Sequence, residues 1–222
     1  MNPADRHPTA WEHPPTRRAW GKQLAMNVAA LVAWIASWFA LLAVYTVFLG
    51  PGFVILVVPF LMYSFYRAFL QLFVISAVFR MRRVLRVYPW QLSHEIQYGL
   101  TERADVVGRQ FGWFEFPNPA RREESLPMVF GRHWGVGWWS RRMAPRAASE
   151  LKAQISEIWF AGDPRFIGVL AAPASGRAAP RRLRFLHQQT GSDGGRRGLA
   201  DWGATAEDIE RGRRAGVVPA RP

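Results

Sequence analysis

The chain contains no cysteine. That excludes a disulfide scaffold, a thiol nucleophile and every cysteine-ligated zinc or iron–sulfur centre. Lysine is nearly missing too, with only Lys22 and Lys152 among 29 basic residues. Charge of either sign is absent from residues 23–66, so the sequence cannot be that of a purely soluble protein. The recognisable catalytic patterns are lacking as well. Histidine occurs at His7, His13, His94, His133 and His187, with no two at metal-ligand spacing. His94-Glu95 lacks the second histidine of a zinc protease helix. There is no G-x-S-x-G elbow. Gly135-Val-Gly137 has no third glycine, and Trp138-Trp139 would crowd a phosphate there. No catalytic residue, metal ligand or cofactor site emerges, and the chain is read as a non-enzyme. An enzyme acting on lipid or envelope substrates has only His94 and His133 to draw on.

What is present is a sharp partition. Half of the 222 residues are apolar, yet the mean hydropathy is only −0.07. An aromatic content of 14% argues against disorder as the main state. About 20 apolar residues cross a ~30 Å hydrocarbon core as a helix, so the uncharged run is too long for one crossing and suits two. Gly50-Pro51-Gly52 breaks it, because proline removes a backbone donor and glycine permits a tight turn. The spacing predicts helices over about 24–48 and 53–75, with the apolar pattern running to Phe79. Pro59 falls inside the second span, where membrane helices tolerate it.

The net charge is +13, and part of it flanks the hairpin. Arg6, Arg17, Arg18 and Lys22 precede it; Arg80, Arg82, Arg83 and Arg86 follow it. Basic residues near span ends set orientation, so both termini are expected in the cytoplasm with the loop outside. The expected location is the cell membrane, with two passes. Arg67, Arg80, Arg82, Arg83 and Arg86 are the candidate contacts to anionic inner-leaflet headgroups, which attract such residues by about 1 kcal/mol each. Arg67 lies about 21 Å along the second helix from Phe53 and can snorkel toward the interface. Ser64, Arg67 and Gln71 share one helical stripe. Asn27 and Gln71 are candidate contacts to a membrane-protein partner. No helix-turn-helix, RNA-recognition or zinc-finger pattern is present, so nucleic acid is not an expected partner.

Beyond Arg80, short aromatic and β-branched runs recur at 84–90, 111–116, 127–130, 134–139, 155–160 and 165–170, punctuated by Gly and Pro turns. This predicts a small, mostly antiparallel β domain with a hairpin turning at Gly162-Asp163-Pro164. Residues 146–154 read as a short helix, and 182–186 as a last strand. Eleven tryptophans leave two readings open, a tryptophan-rich core or a binding face. Trp138 and Trp139 are the candidates for the face. Residues 172–222 read as a flexible Gly/Pro/Arg-rich tail. Within the tail, Thr205-Ala-Glu-Asp208 resembles an N-cap with an acidic third position. Pairs Glu207/Arg211 and Glu210/Arg214 support a helix near 206–214, which Trp202 and Ile209 could dock.

The basic N-terminus, the tight hairpin, RMRRVLRVYPW at 80–90, WFAGDPRFIGVL at 159–170 and DWGATAEDIERGRR at 201–214 resemble uncharacterised two-span membrane proteins of high-GC actinobacteria. That resemblance implies no established activity. The architecture is also similar to bacterial membrane proteins with pleckstrin-homology-like domains, an analogy of layout alone. The expected organisation is thus an α+β membrane protein. Residues 1–22 form a basic cytoplasmic segment, 23–79 an antiparallel transmembrane hairpin, 80–171 a cytoplasmic mostly-β domain reaching at most 186, and 172–222 the tail. The expected function is a membrane-anchored binding or scaffolding module; the alternative is an accessory subunit of a larger membrane complex.

Overall fold

The structure is a computed structural model; it describes residues 8–48, 50–94, 96–100, 111–131, 137–174, 177–188 and 202–217. Two helices open it, α1 (Pro14–Phe48) and α2 (Val54–Val87), joined through a short 3-10 turn at Pro51–Phe53. Seven strands follow: β1 (Gln91–His94), β2 (Tyr98–Gly99), β3 (Phe111–Pro117), β4 (Ser125–Gly131), β5 (Glu157–Asp163), β6 (Ile167–Ala174) and β7 (Arg177–Gln188). Short helices α3 (Gly137–Met143) and α4 (Ser149–Ala153) lie between β4 and β5, and α5 (Ala206–Arg214) closes the chain. The chain divides into two compact units. One is Trp20–Phe79; the other combines the N-terminal segment up to Ala19 with everything from Arg80 onward.

Both long helices are long and apolar enough to cross a membrane. The most apolar stretch of α1 contains no buried residue, which is the opposite of a soluble protein's core helix. The helices exceed the apolar run at its outer ends. Pro14 and Pro15 occupy the first turn of α1, where a missing N–H costs nothing, so the helix begins ten residues before the expected 24. The α2 helix runs to Val87 instead of stopping near 75. The expected strand at 84–90 is therefore helical over its first four residues. Met81, Val84, Leu85 and Tyr88 are all buried, a spacing of three and four that belongs to a helix face. Val84, Val87 and Tyr88 favour strands only when read one at a time.

The second unit is built on one antiparallel sheet of order β1-β5-β6-β7-β4-β3-β2. Its two edge strands, β1 and β2, are separated in sequence only by residues 95–97. So short a link spans little more than ~10 Å, which forces the sheet to curl until its edges approach. The inner face holds Phe114, Phe116, Met128, Phe130, Ile158, Phe160, Leu170 and Leu186, closed by Trp139 and Met143 of α3. Phe116 and Phe160 stack at 4.2 Å, and Trp139 meets Phe114 edge-on at 5.7 Å. The expected strand at 134–139 is corrected over its described residues. Residues from Gly137 onward are helical, and the helix places Trp139 and Met143 on one face at i, i+4. Gly162 sits at φ 150 opposite Gly168; a side chain on Gly162 would run into the Gly168 backbone.

Two further boundaries move. The tail does not begin at 172. The β6 strand continues to Ala174 and pairs with a twelve-residue β7, because Ala171 and Ala172 are small enough to pack fully buried inside. Nor does the N-terminal segment stand apart. Ala10 donates its N–H to the Tyr88 carbonyl (2.9 Å) and Trp11 to that of Leu85 (2.8 Å). Trp90 Nε1 donates to Thr16 Oγ1 (2.9 Å). Ala10 and Thr16 are completely buried. The expected helix near 206–214 is present with those bounds and the full reciprocal cap, Thr205 to Asp208 and back. Residues 175–176, 189–201 and 218–222 of the expected tail lie outside the described residues, as do the 1–7 portion of the N-terminal segment and His133.

Candidate functional site

Within the hairpin, the polar residues find partners in each other. Gln71 Nε2 donates to Asn27 Oδ1 at 2.7 Å and to the Asn27 carbonyl at 3.1 Å, and Asn27 Nδ2 donates to the Gln23 carbonyl at 2.7 Å. The pair read as a contact to another protein is thus a bridge between α1 and α2. Arg67 Nη1 donates to Tyr63 Oη at 2.9 Å, and its guanidinium lies 4.7 Å from the Trp34 ring. An arginine held by a phenol and two aromatic faces is less costly in an apolar setting than a bare charge. Ser64, on the same stripe, is buried.

The basic run after the hairpin forms the face of α2 that belongs to the second unit. Arg82 and Arg86, one turn apart, lie over the Trp11 ring at 5.1 and 5.6 Å. Arg80 lies over Phe185 at 5.1 Å. Arg80, Arg83 and Arg86 are exposed and Arg82 is half-buried. Arg80, Arg82 and Arg86 thus rest on aromatic rings. They are the sequence-derived candidates that the structure gathers most plainly.

The tryptophans divide. Trp139, Trp159, Trp90 and Trp202 are buried, so Trp139 is corrected from a partner contact to a core residue. Trp138 is half-buried and carries Arg142 stacked at 3.8 Å, with the Arg182 guanidinium 5.8 Å from the same ring. Arg142 is fixed by Gln154 Oε1, which accepts from Nε (3.0 Å) and Nη2 (2.6 Å), and by the Trp138 carbonyl, which accepts from Nη1 (3.0 Å). Burial pulls the Arg142 and Arg184 pKa values down, to about 10 for Arg184, and the neighbouring Arg182 adds to both shifts. Nothing in the clean strand alternation at 182–186 announces this cluster.

A second polar cluster joins the C-terminal helix to the sheet. Arg165, 3% exposed, clamps Asp163 with Nε to Oδ1 (2.9 Å) and Nη2 to Oδ2 (2.7 Å). The same Nη2 reaches Asp208 Oδ2 at 2.9 Å, and Nη1 donates to the Gly203 carbonyl at 3.1 Å. Its hydrogen bond to Asp163 raises the Arg165 pKa further. For Asp208, burial works against ionisation, but hydrogen bonds from Thr205 and the Arg165 charge hold its pKa below the ordinary value. Nearby Tyr88 is pushed up to about 12 by burial, with Asp163 adding to it. Asn118, fully buried, donates to the Trp202 carbonyl at 3.3 Å. The expected turn at Gly162-Asp163-Pro164 moves to the residues after Asp163, which still pairs with Ile167, and Arg165 within it reaches a second carboxylate, Asp208, that lies far away in sequence.

Where the curled edges approach, Ser93, His94, Ile96, Gln97, Glu115, Pro117 and Ser125 line an open cleft of about 390 Å³. His94 Nδ1 and Glu157 Oε1 stand 3.7 Å apart, both more than half exposed. That separation is too long for a hydrogen bond. No group of three metal-ligating side chains occurs among the described residues. Compared with known proteins, the chain matches no family model, no curated sequence and no solved structure.

Proposed function

We propose that the chain is a membrane-anchored binding module, with the hairpin inserted and the curled-sheet unit on the cytoplasmic side. One observation carries the reading. Among the described residues, every large apolar side chain left exposed falls between Met26 and Phe79, while those elsewhere are buried or partly buried. A soluble protein rarely leaves so large a contiguous apolar surface open; lipid removes the cost. The exposed arginines after Phe79 then fall at the end of the span, where anionic headgroups favour them. The loop at Gly50–Gly52 carries no charge, which orients both termini inward.

The binding role is supported by a domain whose aromatic core is complete without the hairpin and whose basic side chains face outward on aromatic supports. The accessory-subunit reading loses its main motive, since Asn27 and Gln71 satisfy each other. Crosslinking-coupled purification from native membranes, through a C-terminal tag, tests the choice. The module reading expects the chain with co-purifying anionic lipid. A stoichiometric membrane-protein partner would overturn it in favour of the subunit reading.

A further inference from the structure

The β6–β7 ladder shifts register at two places, and the first falls at an arginine. Leu170 pairs with Arg184 and Ala172 with Arg181, so Arg182 and Leu183 together oppose the single residue Ala171. This is a β-bulge. Arg182 takes its first position with φ 55, the one non-glycine residue at positive φ among those described. Glycine ordinarily fills that position, because any side chain there meets its own backbone. Bulges of this kind re-aim a side chain, and strain held by a bulky residue points to a use for that residue.

The strain brings the Arg182 guanidinium to the Trp138 ring, where Arg142 is already stacked. Neither Arg142 nor Arg182 forms an ion pair with a carboxylate among the described residues; the partners of Arg142 are the neutral Gln154 and a backbone carbonyl. Those bonds use three of its five N–H groups and leave two. Arg141 is exposed beside it, and Arg184 follows Arg182 on the same strand. Burial lowers the Arg142 and Arg184 pKa values, and the Arg182 charge adds to both; a bound anion relieves that repulsion. Guanidinium forks match the oxygens of a phosphate group bidentately.

We propose that Arg142 and Arg182, gathered at the Trp138 ring by the β7 bulge, form a binding site for a phosphate group. The site deepens the binding-module reading and rests on it for its relevance, but its occupancy is measured separately. The phosphate is carried either by a lipid headgroup or by a small soluble phosphate ester.

The test uses the full chain in nanodiscs of neutral phosphatidylcholine, titrated calorimetrically with inorganic pyrophosphate at low salt. The wild type is expected to bind. Arg182→Gly is expected to weaken binding at least tenfold while raising the melting temperature by roughly 2–4 °C, since glycine releases the backbone strain. A purely structural arginine would not produce opposite signs in the two readouts. Arg142→Gln is expected to weaken binding as much, and Arg122→Gln, an exposed arginine outside both basic clusters, to leave it unchanged. Arg182→Lys, which keeps the backbone and charge but not the fork, covers the case of a misfolded glycine variant and is expected to bind severalfold more weakly. Repeating the titration with phosphatidic acid in the nanodisc separates the sources. A tenfold loss of apparent pyrophosphate affinity assigns the site to a lipid headgroup, and an unchanged affinity assigns it to a soluble ester. Three results would overturn the proposal: no wild-type binding at millimolar pyrophosphate, full binding by Arg182→Gly, or Arg182-dependent binding of a random DNA oligonucleotide a hundredfold tighter than pyrophosphate. Release of the chain from membranes by alkaline carbonate would instead refute the anchored module and leave the titration, repeated in detergent, intact.

Discussion

Asp208 does two jobs with one carboxylate, and Asp208→Asn separates them. Asparagine retains the size and an oxygen for the Thr205 N–H (3.1 Å in the wild type) but removes the charge. Arg165 keeps its bidentate clamp on Asp163, so no buried charge is orphaned. The loss is a charged hydrogen bond to Arg165, worth about 1.5–3 kcal/mol, and a favourable charge in the first turn of α5, worth about 0.3–1 kcal/mol. The Asp208 side chain is 22% exposed, which places the sum near the low end, about 2 kcal/mol. At 1.4 kcal/mol per decade, α5 should open roughly 30-fold more often. Native-state hydrogen exchange reads this at the Ile209 and Ala215 amides, which donate to the Thr205 and Arg211 carbonyls. Amides of β5 and β6 should be unaffected. The sign with pH is also fixed. The folded-state pKa of Asp208 is depressed, so its contribution is complete above the unfolded value near ~3.9. It is lost as pH falls through the lower folded value. Wild-type α5 protection should therefore hold from neutral pH to about pH 4 and decay below. Less than threefold acceleration in Asp208→Asn, or equal acceleration across the sheet, would refute the double role.

Other outcomes follow from the same packing. Arg165→Met leaves Asp163 buried without its cation and should cost about 3–5 kcal/mol in chemical denaturation; the double variant with Asp163→Asn should recover much of that. Trp139→Ala empties the centre of the core and should cost about 3–5 kcal/mol, whereas Trp138→Ala should cost far less. His187 has its pKa lowered by burial and by Arg80. The unfolded state therefore takes up a proton first as pH drops below about 6.5, and stability should fall on acidification through that range. His187→Gln should flatten the dependence in melting curves at pH 7.5 and 5.5.

The hairpin was legible because absence of charge over residues 23–66 is a global signal that no local ambiguity disturbs. Helix α5 was legible because its cap and its Glu207–Arg211 pair, 2.8 Å in the structure, are local. The second expected pair formed differently: Glu210 meets Arg213 at 3.5 Å, not Arg214. What escaped the sequence is non-local. Docking of residues 8–19 depends on Trp90 reaching Thr16 across the fold. Helix α2 continued past Phe79 because its buried stripe outweighs the strand preference of single valines. The Arg165–Asp208 pair depends on where α5 docks and the Arg182 bulge on strand register, neither of which any spacing along the chain reveals. Trp139 and Trp138 are adjacent in sequence, yet only the turn of α3 decides that one is core and the other is surface.

The absence of cysteine makes the central claim directly measurable. A single cysteine at Gly52, where a Cβ meets nothing, and another at the exposed Ser149 can be labelled in intact cells with a membrane-impermeant maleimide. The account predicts labelling at position 52 without permeabilisation and at position 149 only after it. Labelling of position 149 in intact cells, or protection of position 52 until permeabilisation, would contradict a hairpin anchor with its binding domain in the cytoplasm.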